Sequence, residues 1–202
     1  MSAPDTLILL AHGAGAGSSS PWIQGWAERL RALGEVVPFD YPYMQAGRRS
    51  PDRLPKLIAA HRAALDAARA AHPRRRKVVL CGKSMGGRVG CHLSLEAPEV
   101  SGLVCLGYPL VSIGKAAKVR DAVLRELTRP VLFVQGTRDR MAPLDQLDAL
   151  RPQLPVRNAL HVVETGDHSL LITKGHTKAT GVTQEQADAR ACAAIAAFLR
   201  EL

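Results

Sequence analysis

The chain has 202 residues, 47% hydrophobic and 22% charged, the proportions of a globular protein with one continuous core. No run of eighteen apolar residues argues for a membrane helix, and the N-terminal MSAPDTLILLAHG, with no basic region and with Asp5 ahead of its apolar run, argues against a signal peptide, so the expected setting is the cytoplasm. A net charge of +9 raises nucleic acid as a partner, but Arg74, Arg75, Arg76 and Lys77, the one dense basic run, have no aromatic interleaving and match no binding module, so none is expected.

Taken in chain order, apolar runs alternate with longer amphipathic stretches. Strands are predicted over Thr6–Ala11, Val36–Phe39, Lys77–Cys81, Gly102–Leu106, Val131–Gln135 and His161–Glu164. Helices are predicted over Pro21–Leu33, Leu54–Ala71, Met85–Leu95, Val119–Glu126, Leu144–Leu150 and Gln184–Leu202. The strands are continuously apolar, as when both faces of a parallel sheet are covered. The rhythm predicts a three-layer α/β/α sandwich around a mostly parallel six-stranded sheet, one domain over 1–202, with the loops after the strands gathered on the edge where ligands bind. Gly114–Val119 and Thr173–Thr183 are the longest irregular pieces, the second an ordinary loop or a flap. Cys81, Cys91, Cys105 and Cys192 lie in apolar or Ala-rich elements without CxxC spacing and read as reduced core thiols, not metal ligands.

Two glycine-rich stretches invite nucleotide readings. HGAGAG after the first strand, with Asp40 ending the second, partly matches a dinucleotide fingerprint, but Ser18 stands where its third glycine belongs. Gly82-Lys83-Ser84 resembles the end of a phosphate-binding loop, yet Lys77 holds the position of that motif's first glycine and KVVLC is strand-like.

A third pattern fits better. Gly82-Lys83-Ser84-Met85-Gly86 is GxSxG between a strand and a helix, the context of a nucleophile elbow. A serine hydroxyl needs a base, and the base needs an orienting acid; on this fold they follow in the order serine, acid, histidine. Asp139 follows the fifth strand and His168 the sixth. Asp145 and Asp148 fall on the next helix, Asp167 is suited to shaping the loop, and His176 is the rival histidine. The oxygen of a tetrahedral intermediate requires two backbone donors, assigned to Met85 and Ala14, with His12 bracing the loop. Tyr41, Tyr43, Tyr108, Leu110 and Met141 are candidate substrate contacts; as apolar residues at loop edges they read equally as packing. No metal or organic cofactor is needed.

At HGAGAG, GKSMGG, QGTRD and GDHS, in that order, the sequence resembles the α/β-hydrolase superfamily. FDYPY and LGYPL make it similar to the small lidless dienelactone-hydrolase-like branch that includes testis-expressed and KANSL-type proteins. The resemblance implies a minimal hydrolase fold with no cap domain, Ser84 as nucleophile, His168 as base, Asp139 as orienting acid, and an oxyanion hole from Ala14 and Met85. Dienelactone hydrolases proper carry a cysteine nucleophile, so their lactone chemistry does not follow. The expected activity is a serine hydrolase on small acyl compounds, carboxylic esters foremost. The alternatives are a catalytically silent binding or scaffold protein and a nicotinamide-dependent reductase. Oligomeric state is left open.

Overall fold

The computed structural model describes residues 5–112 and 118–202. In chain order the elements are β1 (Thr6–Ala11), α1 (Pro21–Leu30), β2 (Glu35–Phe39), the single turn α2 (Pro42–Gln45), α3 (Leu54–Ala71), β3 (Lys77–Lys83) and α4 (Met85–Ser94). They continue with β4 (Gly102–Leu106), the short α5 (Ala122–Arg125), β5 (Val131–Gly136), α6 (Leu144–Leu150), β6 (Asn158–Val163), α7 (Lys174–Thr180) and α8 (Gln184–Arg200).

The six strands pair in the order β2-β1-β3-β4-β5-β6, every pair parallel. Side chains alternate across a strand, so each apolar run feeds two cores. Leu7, Leu9, Leu80, Leu103 and Phe133 pack on one face with Leu65 of α3, Leu93 of α4 and Leu147 of α6. Their neighbours Ile8, Leu10, Val79, Val104 and Leu132 pack on the other, with Trp26 of α1 and Ile195 and Phe198 of α8. This is the expected three-layer sandwich. The chain runs outward from β1 to β2 and then crosses to β3 on the other side of β1, which puts the switch point between β1 and β3. A crevice opens there beyond the strand ends.

Several boundaries differ from the sequence reading. Thr173–Thr183 is not irregular: Lys174–Thr180 is helical, with the Thr173 hydroxyl accepting from the His176 N–H at 3.1 Å and Gly181 closing the helix at φ 75°. Thr183 and Gln186 then form a reciprocal capping box that starts α8. β6 begins at Asn158, opposite Val131, and Glu164 lies beyond its end. β3 continues through Gly82 and Lys83, which pair with Cys105 and Leu106. α1 stops at Leu30, and α5 covers only four residues of the longer helix expected there. Of Gly114–Val119, positions 114–117 lie outside the described residues, and Val119 bridges antiparallel to Val111.

Candidate active site

Ser84 stands directly between β3 and α4 at φ 49° and ψ −114°, a conformation a non-glycine residue holds only under constraint. The constraint is close packing of the elbow. A Cβ added at Gly86 would lie 2.6 Å from the Ala11 carbonyl oxygen, and one at Gly82 would run into the backbone of Gly86 and Gly87. The two glycines of the motif therefore let α4 start against β1 and β3, with Ser84 at the crevice.

His168, in the loop after β6, brings Nε2 to 2.7 Å from Ser84 Oγ and Nδ1 to 2.8 Å from Asp139 Oδ2. Asp139, after β5, is 3% exposed and is itself anchored. The Met141 N–H donates to its Oδ1 at 2.8 Å, and the Gln135 amide donates to its Oδ2. Gln135 is held in turn by the Tyr108 N–H, 3.0 Å from its Oε1. A fully buried glutamine on β5 thus orients the carboxylate, a role that QGTRD alone does not reveal.

The His168 loop is fastened from within and from outside. Asp167 Oδ1 accepts from the Ser169 and Leu171 N–H groups at 2.7 and 3.0 Å, so this aspartate shapes the turn. Lys83 Nζ donates to the His168 carbonyl oxygen at 2.6 Å, and Trp22 Nε1 donates to that of Ser169 at 2.8 Å. The Lys83 ammonium lies 4.7 Å from the centroid of the Trp22 ring, and burial pulls its pKa down to about 8 against the pull of Asp139 and Asp167. The variable position of GxSxG therefore ties the elbow to the histidine loop.

Across the crevice, the loop after β1 is braced from below. Tyr43 donates from its hydroxyl to the carbonyl oxygens of Ala14 at 3.0 Å and Gly13 at 3.3 Å; burial first, then Asp40 and Asp52, push its pKa up to about 12, so it stays a phenol. Asp40 accepts from the Ser18 N–H at 2.6 Å and from its hydroxyl at 2.9 Å. Asp40, the residue that suggested a dinucleotide site, is thus engaged internally. Ala14, Ser84 and Met85 share the wall of a cavity of about 340 Å³, the low end of the range for small-molecule sites.

Of the five substrate-contact candidates, only Met141 lines this cavity. Tyr41, Tyr43 and Tyr108 are fully buried and Leu110 nearly so. Their placement is inward because the tyrosine hydroxyls find buried partners: Tyr41 meets His61 Nδ1 at 3.1 Å, and Tyr108 donates to the Arg120 carbonyl oxygen at 2.8 Å. The remaining wall includes Asp52, Leu54, Leu57, Arg88 and Arg120, none of which carries a motif that sequence reading could seize. His176 sits on α7 beside a different hollow, with His161 and Arg190. Among the described residues no group of three His, Cys, Asp or Glu side chains is placed to hold a metal ion. No helix is long and apolar enough to cross a membrane.

Known proteins share this architecture. A protein of unknown function from Agrobacterium tumefaciens superposes with a TM-score of 0.72 at 15% identity, covering 98% of this chain and 84% of its own. An α/β serine hydrolase without a lid from Xanthomonas campestris gives 0.67 at 22% identity, covering 84% and 75%. A dienelactone hydrolase from Anabaena variabilis gives 0.66 at 22% identity, covering 92% and 86%. At these identities the likeness is one of fold. Among the described residues no cap domain covers the sheet edge, and the sequence family described as the alpha/beta hydrolase domain matches residues 4–200, so the chain belongs to that family.

Proposed function

We propose that this protein is a serine hydrolase that cleaves carboxylic esters or related acyl compounds. The observation that carries the reading is the hydrogen-bonded series Ser84 Oγ, His168, Asp139, at 2.7 and 2.8 Å, opening onto the cavity that Ala14 and Met85 also line. Asp139 fixes the imidazole with its proton on Nδ1, leaving Nε2 to accept the proton of Ser84 as Oγ attacks the acyl carbon. The backbone N–H groups of Ala14 and Met85 stabilise the oxyanion, the second as a free donor at the first position of α4. His168 passes the proton to the leaving group, then activates the water that releases the acyl-enzyme. No metal or organic cofactor takes part in these steps.

The reading extends to a cytoplasmic enzyme, with one hydrolase domain over 1–202, whose partners are small acyl substrates rather than nucleic acid. FDYPY and LGYPL support placing it in the testis-expressed and KANSL-type branch of the lidless hydrolases. An uncapped site favours small or exposed acyl groups over long lipid chains.

The test is labelling by a fluorophosphonate together with turnover of short-chain 4-nitrophenyl esters. Wild type labels and turns over, and Ser84→Ala does neither. Equal turnover by Ser84→Ala and wild type, without labelling of wild type, would leave a catalytically silent hydrolase fold.

A further inference from the structure

We propose that the cavity beside Ser84 selects acyl esters bearing a carboxylate, which Arg88 and Arg120 bind; this rests on the hydrolase reading above. Arg88 lies on α4 four residues after Ser84, its N–H donating to the Ser84 carbonyl oxygen at 3.1 Å, so its side chain rises about one helical turn, on the order of 6 Å, from the nucleophile. Arg88 and Arg120 line the cavity that holds Ser84. The Nε of Arg88 is buried with no hydrogen-bond partner, and among the described residues neither guanidinium is paired with a carboxylate.

Two neighbouring guanidinium groups left unpaired at a partly closed wall are costly: burial opposes the charge on Arg88, and Arg120 adds repulsion, with Tyr108 and Cys91 as countering neighbours. An anion relieves both costs. One acidic side chain, Asp52, lines the same cavity; its Oδ1 is engaged by Arg48 at 2.9 Å and Lys56 at 3.3 Å, while its Oδ2 is buried without a hydrogen-bond partner. Of the charged side chains that line the cavity, two are arginines and one is Asp52, so the wall is cationic on balance. Leu54, Leu57, Val89 and Pro109 supply apolar wall to the same cavity. A short aliphatic chain with an acyl carbon at one end and a carboxylate at the other suits a cavity that combines the nucleophile, apolar wall and two arginines, and the planar guanidinium fork matches the carboxylate.

The experiment compares the 4-nitrophenyl monoester of adipic acid with its methyl-capped neutral counterpart. Wild type is expected to favour the anionic ester by about 10- to 100-fold in kcat/KM, the worth of one or two charge-assisted hydrogen bonds. Arg88→Met brings the ratio near one, and Arg88→Lys keeps part of it. A wild-type ratio of one or below, or a ratio unchanged in both Arg88→Met and Arg120→Met, overturns the assignment. Calorimetric binding of monomethyl adipate to Ser84→Ala reads the same pocket without turnover. Binding lost in Ser84→Ala/Arg88→Met supports the carboxylate site even if no ester is cleaved, an outcome that would sink the hydrolase reading alone. No binding, or tighter binding of inorganic phosphate, overturns the carboxylate site.

Discussion

Two histidines stand at the same edge of the sheet, His12 after β1 and His168 after β6, and their surroundings set them apart. His12 is fully buried: Nδ1 donates to the Gly13 carbonyl oxygen at 2.6 Å, and Nε2 accepts the Tyr41 N–H at 3.2 Å. Asp40 approaches Nε2 at 3.5 Å, but the Tyr41 N–H already occupies that nitrogen and burial lowers the pKa, so His12 is neutral. His168 has a side chain 29% exposed, and its nitrogens face a carboxylate and a hydroxyl instead of backbone. A ring closed on both sides by main chain can only hold a loop. A ring between Asp139 and Ser84 can carry a proton from one atom to another, because its acceptor faces a group that reacts.

The sharpest way to break that contrast is to remove each ring in turn. His168→Gln should lower kcat by roughly 10³- to 10⁴-fold while the melting temperature moves by no more than about 2 °C, read by ester kinetics and thermal unfolding. A large loss of stability with activity retained would reverse the two assignments. His12→Leu should do the opposite: a loss of about 2–3 kcal/mol of stability, since the Tyr41 N–H is left buried and unpaired and the Gly13 carbonyl keeps only the Tyr43 hydroxyl, and only about a 10-fold loss in kcat through the loosened Ala14 loop. Denaturant unfolding separates the two.

Acid sharpens the same comparison. On the far side of Tyr41 lies His61, also fully buried, whose pKa is pressed down to about 3 by burial, by the charge of Arg62 and by that of His12 once protonated. As pH falls from the ordinary imidazole value of 6.5 towards 3, the unfolded chain takes up a proton at His61 that the folded protein refuses, so folding stability declines through this window. His12, lowered in the same direction, adds to the slope. Measured between pH 7 and 4, the decline should be shallower in His12→Leu, from which one such group is gone.

How far the sequence disclosed this arrangement follows from chemistry and distance. The meeting of Ser84, Asp139 and His168 was legible because each follows a strand in a fixed order, and strand ends are marked by apolar runs giving way to glycine. The two-faced core was legible for the same reason, since every residue of β1, β4 and β5 is buried. Gln135 was hidden inside a strand that reads as apolar, and its partner lies four residues on across a turn. The tyrosines read equally as cavity wall and as packing because aromatics near loops fit either place; only the acceptors waiting at His61, Ala14 and Arg120 decide, and those lie 12 to 29 residues away. The helix in Thr173–Thr183 was masked by polar composition, its signals being the cap at Thr173 and the glycine at 181.

Lys83 offers the smallest and most selective change, because it touches the His168 side of the comparison without entering the hydrogen-bonded series. Its ammonium fastens the His168 carbonyl at 2.6 Å and faces the Trp22 ring. Lys83→Met should lower kcat by about 5-fold with KM nearly unchanged, as expected for a group that positions the base and does not touch substrate. Wild type should lose rate as Lys83 gives up its proton near pH 8, a limb absent from Lys83→Met and also from Lys83→Arg, which stays charged. Stability moves the other way. Between about pH 8 and the ordinary lysine value of 10.5 the unfolded chain still holds a proton that the folded protein has released, so raising pH through this range favours folding. Buried thiols such as Cys81, whose pKa burial raises, tilt the whole protein in the opposite sense, so the quantity to follow is the difference between wild type and Lys83→Met. That difference should grow in favour of wild type from pH 8 to 10. A flat difference, together with an alkaline limb that survives in Lys83→Met, would mean that the lysine is solvated and the histidine loop is held by Trp22 and Asp167 alone.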